Sequence, residues 1–107
     1  MTEEQALLAL SALANPLRLK IFRALVIVGA PGLSAGAIMN GVGVPAATLS
    51  FHLKELATAG LITQERSGRN FVYRAAYEYM NSLLGYLTEN CCVGTPCAAE
   101  PSAACGC

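Results

Sequence analysis

Ninety residues pass before the first cysteine, and the whole chain of 107 holds a single histidine, His52. With one imidazole, no nucleophile-base-orienter set and no phosphate-binding glycine loop, an enzyme is not expected. No apolar run approaches the ~20 residues needed to span a bilayer. Glu3 and Glu4 stand near the start, where a secretory leader would carry Lys or Arg. A cytoplasmic protein with no membrane partner is therefore expected. No internal repeat is present, and the length suits one small domain.

Net charge is also lacking, since seven basic residues balance seven acidic ones. Position changes what that implies. All the basic side chains (Arg18, Lys20, Arg23, Lys54, Arg66, Arg69 and Arg74) lie between 18 and 74, against Glu55 and Glu65 alone, which leaves that stretch at +5. A neutral molecule divided in this way can present a positive face to nucleic acid.

Thr2-Glu3-Glu4-Gln5 forms a capping box ahead of Leu7, Leu10 and Leu13, predicting a first helix over 3–13 with those leucines as its apolar face. Asn15-Pro16 opens a second helix whose apolar face is Leu17, Ile21, Leu25 and Val28. Ser34 can cap a short third helix ending at Asn40, and Gly41-Val42-Gly43 reads as a tight turn. Pro45 opens a fourth helix in which Leu49, Leu53 and Leu56 point inward and Gly60 marks the stop. Residues 61–66 and 69–74 flank Ser67-Gly68 as a β-hairpin. A last helix over 76–89 carries Tyr77, Met80, Leu84 and Leu87, widened by Tyr79, Leu83 and Tyr86. The fold class expected is mainly α with a β-hairpin, a winged helix-turn-helix spanning 1–90. Alanine supplies much of the apolar content, and long terminal helices on so short a chain favour a homodimer through the N- and C-terminal helices.

Residues 91–107 form a Cys-rich tail with no periodicity. Five cysteines fall there, as Cys91-Cys92-Val93-Gly94-Thr95-Pro96-Cys97 and Cys105-Gly106-Cys107. Clustered thiols in a reducing compartment point to metal binding or redox chemistry more than to disulfides. Cys91, Cys92 and Cys97 supply three soft donors across a Gly-Thr-Pro turn, which suits a trigonal-pyramidal As(III) or Sb(III) ion. Zinc would need a fourth ligand from Cys105 or Cys107, which are accessory candidates. No organic cofactor is expected.

Leu13-Ala-Asn-Pro-Leu-Arg-Leu-Lys-Ile-Phe-Arg-Ala-Leu25, Ser50-Phe-His-Leu-Lys-Glu-Leu56, Ala59-Gly-Leu-Ile62 and Arg66-Ser-Gly-Arg69 follow one another in an order that resembles the ArsR/SmtB family of metal-responsive repressors. The resemblance covers about residues 5 to 90. It implies a dimeric repressor bound to a double-stranded DNA operator and released by a metal or metalloid. Best-known arsenic sensors of this family carry cysteines where this chain has Leu33-Ser-Ala-Gly-Ala-Ile-Met39, so that site is absent. Cys91, Cys92 and Cys97 resemble a second arsenic and antimony branch with thiols after the last helix.

In a helix-turn-helix the early residues of the second helix enter the major groove, here Ala46, Ala47, Thr48, Ser50 and Phe51. Methyl contacts and the two hydroxyls would read bases, with modest specificity. Lys54, Arg66 and Arg69 are expected on phosphates. His52 reads equally as a phosphate contact or as a side chain packed beside Leu49 and Leu56. Thr48 and Ser50 also fit a plain polar helix face, Arg66 and Arg69 a solubilised hairpin edge, and Arg18 and Arg23 structural ion pairs. Competing functions are a thiol redox switch, a Zn, Cd, Pb or Cu sensor on the same fold, and a metal buffer that binds protein through its winged fold.

Overall fold

The computed structural model describes residues 1–91, which form five helices and a three-stranded sheet. Helix α1 (Glu3–Leu13) starts where the capping box places it. Thr2 Oγ1 accepts from the Gln5 amide at 3.1 Å, and Gln5 Oε1 accepts from the Thr2 amide at 2.9 Å. Its buried face differs from the expected one. Ala6, Ala9 and Ala12 face the core, while Leu7, Leu8 and Leu10 are exposed. Small side chains let α1 lie close against its neighbours; Leu7, Leu8 and Leu10 are left on the outer side, and of the expected face only Leu13 packs against the core.

Helix α2 (Pro16–Val28) is capped by Asn15, whose Oδ1 accepts from the amides of Leu17 at 2.9 Å and Arg18 at 3.2 Å. Ile21, Phe22 and Leu25 are buried; Leu17 and Val28, expected on the same face, are half-buried. The chain then forms β1 (Leu33–Ser34), a strand too short to have periodicity and absent from the sequence reading. Ser34 caps α3 (Ala35–Val42) by accepting from the Ala37 amide at 3.2 Å. The helix runs two residues beyond Asn40, so Gly41 and Val42 belong to its last turn. Gly43, with φ +77°, is the left-handed residue that ends it.

Helix α4 (Ala46–Thr58) buries Leu49, His52, Leu53 and Leu56. It ends in a Schellman arrangement: the Leu61 amide donates to Leu56 carbonyl and the Gly60 amide to Ala57 carbonyl, both at 3.0 Å. Strands β2 (Ile62–Ser67) and β3 (Asn70–Ala75) pair antiparallel with Ser67 opposite Asn70, so the connecting residues are Gly68-Arg69 and not Ser67-Gly68. Gly68 has φ +63° and Arg69 does not share a positive φ, the pattern of a type II′ turn. β1 pairs with the other side of β3, giving the order β1-β3-β2.

Helix α5 (Tyr77–Leu87) returns across the body of the fold. Leu83 is buried and Tyr79, Met80 and Tyr86 pack on the core, whereas Tyr77, Leu84 and Leu87 are exposed. Of the expected Tyr77-Met80-Leu84-Leu87 stripe, Met80 therefore packs inward and the other three face outward. The Tyr79 ring lies against Gly60, where an added Cβ would come within 2.9 Å of Cζ. Tyr77 donates from its hydroxyl to the Val26 carbonyl at 3.2 Å. α5 is thus pinned both to the end of α4 and to the end of α2. Among the described residues no helix is long and apolar enough to cross a membrane.

Candidate nucleic-acid interface

Burial of Leu49, Leu53 and Leu56 turns the opposite side of α4 to solvent. Ala46, Ala47, Ser50, Phe51 and Lys54 all lie on that outer side, and Thr48 is half-buried at its flank. Five of the six α4 residues expected to enter or line a DNA groove, apart from His52, therefore share one exposed face.

His52 does not belong to that face. It is only 7% exposed, and its Nδ1 accepts from Arg18 Nε at 3.1 Å. A ring nitrogen can accept only when it bears no proton, so this bond is made by the neutral imidazole. The phosphate reading of His52 gives way to the packing one, for the physical reason that helical spacing puts it with Leu49 and Leu56 on the core side. Among the described residues Arg18 has no ion-pair partner either. Its guanidinium lies 5.5 Å from the centroid of the Phe51 ring. Phe51 and His52 meet edge to face with centroids 5.5 Å apart and planes at 60°. The sequence pattern offered no signal for this long-range triad, because the partners are 34 residues apart.

The wing continues the interface. Among the described residues the one salt bridge joins Arg74 Nη1 to Glu65 Oε1 at 2.6 Å, across the β2-β3 pair. Arg74 Nε also donates to the Ala30 carbonyl at 2.7 Å, so this cation ties the wing to the loop after α2. Among the described residues Arg23 has no ion-pair partner. Arg66 Nε donates to the Gly68 carbonyl at 3.1 Å and braces the turn from inside the hairpin. Arg69 occupies the turn itself and is exposed. It also borders a cleft of about 310 Å³ with Asn70 and with Ser34, Ala35 and Gly36 of the α3 start. A positive side chain and a helix N-terminus facing one cleft both favour an anion.

Cys91 sits just beyond α5, half-buried, its amide donating to the Thr88 carbonyl at 3.0 Å. Cys92, Cys97, Cys105 and Cys107 lie outside the described residues, as does the rest of the 91–107 tail. Among the described residues no three His, Cys, Asp or Glu side chains come together as a metal site.

A short helix, a glycine turn, a second helix with its outer face bare and a hairpin tipped by arginine define a winged helix-turn-helix DNA-binding protein. Residues 13–65 match the family model described as a helix-turn-helix domain. The chain is 33% identical over 89 residues to the HTH-type transcriptional regulator YgaV of Escherichia coli K12, covering 83% of this chain and 88% of that protein. Among solved structures it resembles an ArsR-like transcriptional regulator from Rhodococcus sp. RHA1, with TM-score 0.70, 25% identity, and 78% and 76% of the two chains covered. It also resembles the homodimeric winged helix-turn-helix DNA-binding domain Mb0332 from Mycobacterium bovis, with TM-score 0.63, 30% identity and 81% of each chain covered. The chain belongs to the ArsR family of transcriptional regulators. These relatives are regulators of transcription and not enzymes.

Proposed function

We propose that the protein is a homodimeric repressor that leaves its operator when As(III) or Sb(III) binds the thiolates of Cys91, Cys92 and Cys97. The observation that carries this reading is the position of Cys91. It lies one turn past the end of α5, its amide bound to the carbonyl of the cap residue Thr88, and α5 is the helix that touches α1 and presses Tyr79 against the end of the DNA-reading helix α4. A ligand that draws neighbouring sulfurs together there acts on the end of a helix linked to both the dimer face and α4.

Dimerisation is supported by the leucines. Leu7, Leu8 and Leu10 on α1 and Leu84 and Leu87 on α5 are each at least 39% exposed in the single chain. Full burial of such a side chain is worth about 1.5–3 kcal/mol. Covering them with a second copy would set two α4 helices against successive major grooves, about 34 Å apart. By linkage, the inducer weakens DNA binding only as far as the DNA-bound arrangement binds it less well, at about 1.4 kcal/mol per tenfold. The relatives' names specify no metalloid, so the choice of inducer rests on the sulfur donor set.

The test is a titration. A fluorescent promoter fragment bound to reduced protein is challenged with As(III), Sb(III), Zn(II), Cd(II) and peroxide. Release by the two metalloids, lost in Cys91→Ser, Cys92→Ser and Cys97→Ser and kept on truncation after Ala99, is the expected result. Release by peroxide alone would make the tail a redox switch. Loss on truncation with the three serine variants intact would move the ligands to Cys105 and Cys107.

A further inference from the structure

Phe51 is the largest apolar side chain on the outer face of α4, and it is 55% exposed. An unbraced phenyl ring on a helix surface samples several rotamers, yet this one is held on two sides. The Arg18 guanidinium lies over it at 5.5 Å, and the buried His52 ring meets it edge to face at 5.5 Å. Arg18 is in turn held in place: its Nε donates to His52 Nδ1 at 3.1 Å, and its amide is bound by the Asn15 cap at 3.2 Å. The start of α2 therefore works as a bracket for one side chain of α4.

The neighbours of Phe51 give the braced ring its chemistry. Ala46 and Ala47, on the same exposed face, offer no side-chain hydrogen bonds, and the polar groups of that face are Ser50 and Lys54. Donor and acceptor edges that meet Phe51 or the alanines, and not Ser50 or Lys54, would lose water without recompense. The one apolar group the groove presents is the C5-methyl of thymine. Resting on the DNA-binding reading above, the geometry points to Phe51 as a specificity-determining residue that packs on a thymine methyl in each half-site, with Arg18 as its positioning residue. Arg18 acts here through Phe51 and makes no phosphate contact.

The experiment starts from duplexes selected by the full-length reduced protein from a randomised library. Thymines in the enriched duplex are replaced one at a time by deoxyuridine, which removes the methyl and keeps every hydrogen-bonding group. At the contacted position wild type should lose about fourfold in affinity, the worth of one buried methyl-sized group. In Phe51→Ala that loss should vanish. In Arg18→Ala it should shrink toward none while the slope of log affinity against log salt stays at the wild-type value. Full thymine dependence in Phe51→Ala, or deoxyuridine tolerated everywhere by wild type, overturns the inference and leaves the DNA-binding reading intact. A salt slope reduced by ~0.9 in Arg18→Ala, with thymine dependence unchanged, makes Arg18 a phosphate contact and overturns its positioning role. Failure to enrich any duplex overturns both readings. Because Phe51 is exposed, its alanine variant keeps the test valid even where Arg18→Ala does not fold.

Discussion

Single side chains divide here into those that hold the interface and those that meet the ligand, and exposure separates them. Arg74 is engaged by Glu65 and Ala30, and Arg18 by His52 and Phe51, whereas Arg69 stands on the wing turn. Arg69→Ala should weaken binding to specific and random duplexes alike and lower the salt slope by ~0.9, measured by anisotropy from 50 to 200 mM salt. An unchanged slope removes Arg69 from the phosphate contacts. Gly60 is decisive for stability. Its φ of +85° and the Tyr79 ring 2.9 Å from a would-be Cβ both oppose any side chain. Gly60→Ala should cost at least about 1–3 kcal/mol for the backbone alone, read from the urea midpoint. Part of the cost should return in Tyr79→Ala, where the clash is gone; an equal cost in both backgrounds would show that the ring is not the obstacle.

Among the helices and strands, ends were legible and faces less so. Asn15-Pro16, Ser34 and Gly60 act within a few residues of themselves, so the caps of α2, α3 and α4 stand where local chemistry puts them. Asn15→Ala should therefore cost about 1 kcal/mol in thermal or urea unfolding, since two amides at the α2 start lose their acceptor. A change below the error of the midpoint would mean that water replaces the cap in full. Strand β1 and the exact hairpin turn were missed for one reason: both depend on what β3 pairs with. The leucines of α1 and the outer stripe of α5 misled because periodicity reports an apolar face without saying whether it meets its own core or another surface. Alanine at Ala6, Ala9 and Ala12 wins the inner side because close helix approach rewards small residues.

For the molecule as a unit, those outward leucines are the largest unspent source of apolar burial. Replacing Leu10 and Leu84 by Glu together should leave a folded monomer that binds operator DNA far more weakly. Sedimentation velocity checks the mass and circular dichroism the fold. A variant that remains dimeric would place the subunit contact elsewhere. The charge division between 18 and 74 and the flanks also matters at this level, because α2, α4 and the wing carry the exposed basic groups Lys20, Arg23, Lys54, Arg66 and Arg69, while Glu3, Glu4 and Glu78 lie on α1 and α5.

Helix caps, the inward leucines of α4, the bare face opposite them and the clustering of thiols past residue 90 follow from the order of residues, since each depends on spacing along one element or on composition alone. The choice of Arg18 as partner for His52, the bracket around Phe51, the role of Arg74 as a strut and the outward turn of Leu7 and Leu10 follow from packing. Each depends on partners from different elements, such as Arg18 and His52, and which distant groups meet is set by how helices and sheet close around a common core.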